Sequence, residues 1–216
     1  SPSENVSESS TPNRSWRDGI RFPRCESVPI DHLTRMLLDA RDGDRRALER
    51  FVAETQADVW KLCRYLGDAR DADDLAQETY ERAIASVHRY RADGPARGWL
   101  LTIARRVCVD HTRRAVRRRR RDAAVLSDAV ASHDVTVADG ADRVALDELL
   151  VALSPERRDA FVLTQVLGLY YDEAADVLGC PVGTIRSRVS RARLALVDAM
   201  TDDTGDAGTG ELRRAT

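Results

Sequence analysis

The chain has 216 residues, with 34 Lys and Arg against 36 Asp and Glu, a formal net charge of −2, and 5% aromatic residues. That is the composition of a mostly helical protein with length for one large or two small domains, and no apolar run approaches the roughly 18 residues that cross a bilayer. The net charge alone does not suggest a nucleic-acid binder, but its distribution does: residues 105–121 hold nine Arg against one Asp, and residues 68–81 hold six acids against one Arg. Separate basic and acidic surfaces with different partners are expected.

Residues 1–31 are rich in Ser, Pro, Asn and charge with little periodicity, and are expected to be disordered. They carry no charged-then-apolar secretory pattern, and the opening Ser1 reads as a processed or trimmed end, so a cytoplasmic protein is expected. Cys25, Cys63, Cys108 and Cys180 are scattered, with no C-x-x-C and no His at ligand spacing, so they are expected to be reduced core residues rather than metal ligands. No metal and no cofactor is expected.

Helical periodicity begins near His32 and continues to residue 68, with breaks at Gly43 and Gly67. A further helix covers residues 69–87. On it Leu75, Thr79 and Ile84 lean towards the core, while Asp74, Gln77, Glu78 and Glu81 share an adjoining outward face. Such a strip is suited to docking the arginines of a partner; taken alone it also fits a solvated helix face. Residues 88–98 (HRYRADGPARG) read as a loop. From Trp99 a long helix places Leu100, Ile103, Ala104 and Val107 on one face and loses its apolar side near Arg121.

Residues 122–141 read as a flexible linker. A second domain covers residues 142–200, opening with a stripe of Leu146, Leu149, Leu150 and Leu153. Ser154 and Pro155 supply the cap and first-turn proline of the next helix, which Gly168 ends. Residues 171–178 (YDEAADVL) form a short amphipathic helix closed by Gly179, where a left-handed stop is needed. In residues 180–196 (CPVGTIRSRVSRARLAL), Val182, Ile185, Val189, Ala192 and Leu196 form one helical seam. The other faces carry Arg186, Ser187, Arg188, Ser190, Arg191 and Arg193 without an acid. A short helix, a glycine turn and a narrow basic helix describe a helix-turn-helix able to enter a major groove. Residues 201–216 are a polar, Gly-rich tail, expected to be disordered. The fold class is therefore all-α, with two helical domains that should tumble semi-independently on their tether or be clasped by a partner hiding both DNA surfaces.

In order along the chain, ADDLAQETYERAI, RGWLLTIARR…DHTRR, LSPERRDAFVL and GCPVGTIRSRVSRAR resemble the extracytoplasmic-function sigma factors, the smallest members of the sigma-70 family. The details look most like the actinobacterial sigma factor C subgroup. The resemblance implies a promoter-specificity subunit of RNA polymerase, not an enzyme, whose partners are core polymerase (clamp and flap) and promoter DNA, with an anti-sigma factor as a further candidate partner. It assigns residues 32–121 to the sigma-2 domain and 142–200 to the sigma-4 domain. By this resemblance Asp74, Gln77 and Glu78 match positions that grip the polymerase clamp. Residues 86–114 match the part that captures and opens the minus-ten element, with Tyr90, Trp99, Arg105, Arg106, Arg113 and Arg114 as candidates. Arg186, Ser187, Ser190 and Arg191 match positions that read the minus-thirty-five element, and Gly183 and Thr184 match positions that meet phosphate.

The chemistry of these residues agrees. Arginine can donate bidentately to guanine, serine reaches several base edges, and helix N-termini bind anions. Opening a duplex needs no hydrolysis when unstacked bases are held beside a basic groove. Tyr90 and Trp99 suit such stacking, but large aromatics at helix starts are also common core anchors. Arg117 to Arg121 suit phosphate without sequence preference. Arg188 faces the preceding helix, where an ion pair with Glu173 competes with phosphate contact. Two positions depart from the family pattern: Arg106 stands where Asn is common, and Tyr170 stands where a Ser or Thr cap is common. The alternative function is a stand-alone helix-turn-helix regulator, which would have no use for the acidic strip. A carboxylate-metal enzyme fits poorly, because Asp71, Asp73, Asp74 and Glu78 wind around their helix rather than converge.

Overall fold

A computed structural model describes residues 31–125 and 149–205, with side chains for 31–121 and 149–201. Among the described residues every regular element is helical. The expected N-terminal extension, most of the linker, the opening of the second domain and most of the tail lie outside the described residues.

Helix α1 (His32–Arg41) starts where the Asp31 carboxylate accepts from Thr34 N at 2.7 Å, an N-cap. Asp44 caps α2 (Arg45–Leu66) in the same way, accepting from Arg46 N and Ala47 N. Gly67 ends α2 because nothing larger fits: a Cβ there would stand 2.7 Å from Cys63 O and 2.4 Å from Leu75 Cδ1. A 3₁₀ turn (Ala69–Asp71) leads into α3 (Ala72–Ser86). After a second such turn (Val87–Arg89) and a loop, α4 (Ala96–Val125) begins ahead of the expected Trp99. It starts there because the Thr34 hydroxyl accepts from Ala96 N at 3.0 Å, tying the new helix to α1. At its far end α4 runs past Arg121 into the stretch expected to be linker.

The second set of helices follows the anticipated punctuation. Pro155 opens α5 (Pro155–Phe161) behind Ser154, whose side chain makes no capping hydrogen bond, and the helix widens into a π-helical turn (Val162–Val166) rather than continuing regularly. Gly168 then takes φ +70°. Arg158 donates to the carbonyls of Leu150, Val151 and Leu153, satisfying a helical turn that ends without intrahelical partners. Helix α6 (Tyr171–Leu178) stops at Gly179 in the left-handed conformation, φ +63°, and α7 (Val182–Gly205) runs beyond the expected end near Met200.

Three expectations are corrected by burial. Ile84 is 47% exposed and Ala83 takes its place inside, because the core-facing row of α3 runs Ala72, Leu75, Thr79, Ala83. Val182 is exposed at the first turn of α7, whereas Ile185, Val189 and Ala192 are buried as a seam should be. The largest correction concerns the domains. Residues from α1–α4, among them Leu37, Phe51, Leu62, Leu100 and Leu101, share one buried cluster with Leu163, Leu167, Leu169, Val177, Ile185 and Val189. The two helical sets are docked, not semi-independent. Helix α4 lies between them, and from Trp99 to Ala104 every residue is buried.

Candidate nucleic-acid interface

The acidic stretch divides into acids paired with neighbouring helices and acids left free of them. Asp73 accepts from Trp60 Nε1 on α2 at 2.9 Å, and Asp71 lies 3.0 Å from His111 Nε2 on α4. These acids tie α3 to its neighbours. Asp74, Gln77 and Glu81 remain exposed, with Gln77 Nε2 donating to Glu81. Glu78 is half-buried between α3 and α4, where Arg82 and Arg114 both donate to its Oε1. The carboxylates therefore diverge, and among the described residues no cluster could hold a metal ion.

The loop before α4 is pinned by hydrogen bonds and burial. Tyr90 is buried, its hydroxyl donates to Gly94 O at 2.7 Å, and Arg41 donates to its carbonyl. Its ring centroid lies 5.3 Å from that of Trp99, itself 7% exposed. Both aromatics are core anchors here, with no face free for a base. Their pairing shapes the loop, and Ala92 within it takes φ +56°, a strained conformation for a residue with a Cβ.

Of the α4 arginines, Arg106, Arg113 and Arg114 are exposed, as are Arg117 to Arg121. Arg105 is not available. Its Nε donates to Asp159 of α5 at 2.7 Å across the contact between the two helical sets. Arg97 bridges the same contact, pairing with Asp58 at 2.7 Å and donating to Leu167 O. Burial raises the Asp159 pKa above its ordinary value, and the Arg105 guanidinium opposes that rise. Sequence reasoning missed these docking residues. The signal was present in WLLTIA, a run too apolar to leave one helical face in water.

In α7, Gly183, Arg186, Ser187, Ser190 and Arg191 are exposed on one side, Thr184 is half-buried, and Ile185, Val189 and Ala192 lie beneath. This face stays open although the domains are docked. The expected Arg188–Glu173 pair is absent: Glu173 accepts from Tyr170 N at 2.8 Å, while Arg188 reaches Cys180 Sγ. Glu173 thereby supplies half of a capping box and offsets the lack of a Ser or Thr at Tyr170.

Comparison with known proteins matches this geometry to one family. "Sigma-70 region 2" matches residues 51–120 and "Sigma-70, region 4" matches residues 143–196. The ECF RNA polymerase sigma factor SigC of Mycobacterium tuberculosis is 46% identical over 172 residues, 79% of this chain and 93% of the relative. The chain belongs to the sigma-70 family. It is an extracytoplasmic-function sigma factor, a regulatory protein of promoter-specific transcription initiation. RNA polymerase sigma-H factor of Pseudomonas aeruginosa is 31% identical over 73% of this chain and 88% of its own. Among solved structures, CnrH in complex with the cytosolic domain of CnrY aligns with TM-score 0.61 and 26% identity, over 78% of this chain and 97% of that one. The sigma factor RpoE in complex with the anti-sigma factor NepR from Bartonella quintana gives TM-score 0.61 and 28% identity, over 71% and 96%. No helix among the described residues of this sigma factor is long and apolar enough to cross a membrane.

Proposed function

We propose that this sigma factor docks on core RNA polymerase in the cytoplasm through Asp74, Gln77 and Glu78, and reads promoter DNA through α7 and the basic half of α4. It performs no chemistry of its own. The observation that carries the reading is the exposed row Arg186, Ser187, Ser190 and Arg191 above a buried seam, behind a left-handed glycine turn. Two arginines able to grip guanine and two short hydroxyls suit base edges, and Gly183 and Thr184 at the helix start suit phosphate.

For the minus-ten element, Arg106, Arg113 and Arg114 are the exposed candidates, with Arg117 to Arg121 extending the positive surface along α4. Tyr90 and Trp99 act indirectly in this reading, shaping the loop that precedes the helix. Arg105 becomes available only when Asp159 withdraws, so loading onto polymerase separates the two helical sets. A stand-alone regulator would not need the outward strip of Asp74, Gln77 and Glu81. RpoE is solved with the anti-sigma factor NepR bound and CnrH with the cytosolic domain of CnrY, which supports a comparable anti-sigma partner for this chain.

The test is run-off transcription with purified core enzyme. Wild-type protein should direct initiation, and Asp74→Ala/Gln77→Ala/Glu78→Ala should lose core binding while keeping its helical circular dichroism. Unchanged core affinity in that variant would overturn the docking assignment.

A further inference from the structure

Four charged side chains join the docking strip to the DNA-facing helix. Glu78 Oε1 receives both Arg82 Nη2 from one turn along α3 and Arg114 Nη2 from α4, the latter at 3.3 Å. Arg82 has a second anchor, its Nη1 standing 3.3 Å from Asp110 Oδ2 on α4. Asp110 lies one turn before Arg114 on the same helix and would otherwise be its natural i,i+4 partner.

We infer that Glu78 is a shared carboxylate that couples polymerase docking to promoter capture: arginines of the polymerase displace Arg114 from Glu78 and so turn it towards DNA phosphate. The inference rests on the docking role proposed for Glu78. It follows from the inequality of the two arginines. When an incoming guanidinium takes Glu78, Arg82 keeps Asp110 and stays in place. Arg114 loses its carboxylate, and Asp110, whose Oδ2 already takes Arg82, offers it a weaker site than Glu78 did. Its remaining strong partner is an anion from outside, and the neighbouring Arg113, Arg117 and Arg118 attract phosphate to that same surface. Linkage makes the effect reciprocal: whatever holds Arg114 elsewhere frees Glu78 for polymerase.

The Arg114 and Glu78 side chains are 46% and 31% exposed, so the coupling is that of a solvent-screened pair, roughly two- to fivefold in affinity. The experiment is a double-mutant cycle on the full chain, read as affinity for purified core polymerase by fluorescence anisotropy at fixed salt. Arg114→Gln should bind core two- to fivefold more tightly than wild type, because its Glu78 no longer has to be taken from Arg114. Glu78→Gln should bind less tightly, and Arg114→Gln/Glu78→Gln should match Glu78→Gln. Tightening that persists in the double variant would be a general charge effect and would overturn the coupling, as would Arg114→Gln with unchanged core affinity. A Glu78→Gln variant that binds core normally would instead defeat the docking role itself. The reverse arm uses a labelled single-stranded minus-ten oligonucleotide: Glu78→Gln should bind it two- to fivefold more tightly only when Arg114 is present.

Discussion

Arg105 and Asp159 show how one ion pair can serve docking without being a strong source of stability. Asp159 is 8% exposed, and burial outweighs its attraction to Arg105 in setting the direction of its pKa shift. At neutral pH the charged carboxylate is thus a cost to the docked state that Arg105 reduces rather than abolishes. Arg105→Ala, which leaves that carboxylate buried and alone, should destabilise the docked protein by about 3 kcal/mol in urea unfolding. Arg105→Ala/Asp159→Ala should recover part of the loss; a double variant weaker than the single one would show that the pair is a net stabiliser. On α7 the corresponding prediction concerns sequence reading. Arg186→Ala or Arg191→Ala should cost about 1–3 kcal/mol at one or two base positions and relax preference there. A uniform loss across promoter sequences, measured by competitive binding of holoenzyme, would assign them to phosphate instead.

Among the elements, α3 and α4 carry both function and structure on adjoining faces. Asp71 and Asp73 tie α3 to His111 and Trp60, leaving Asp74, Gln77 and Glu81 outward. The hinge between α2 and α3 permits this arrangement through Gly67, whose missing side chain lets Leu75 and the Cys63 carbonyl close over it. Cys108 Sγ lies in the same crowded corner, and its hydrogen bond to Cys63, together with burial, pushes its thiol pKa up. Gly67→Ala should therefore destabilise by about 1–3 kcal/mol, as overpacking does, with thermal unfolding as the measurement. An unchanged midpoint would mean that the α2–α3 turn relaxes freely. The same close packing would shift α3 relative to α4, so core binding should fall alongside stability.

For the whole molecule, the docked arrangement hides the middle of α4 under α5 and α6 while leaving the α7 reading face open. If loading on polymerase parts the two helical sets, amides of α6 and the start of α4 should exchange hydrogen faster in holoenzyme than in the free protein. Equal protection in both states would mean that the docked form itself is what polymerase binds.

The chain punctuation was legible in the sequence because caps, prolines and glycines act locally. Asp31, Asp44, Ser154–Pro155, Gly67 and Gly179 mark helix boundaries at or next to the expected residues. The seam of α7 apart from Val182, and the outward strip of α3 apart from Glu78, were legible for a similar reason, since helical periodicity alone sorts residues between faces. By itself, then, the sequence determined the all-α class, the helix-turn-helix and the family. Tertiary structure decided which partner each face meets. It turned Tyr90 and Trp99 inward against one another, gave Arg105 to Asp159, took Glu173 from Arg188 for the Tyr170 backbone, and set Ile84 outside. Periodicity says that a face is apolar or charged, but not what will cover it; that depends on contacts between residues such as Arg105 and Asp159, 54 positions apart in the chain.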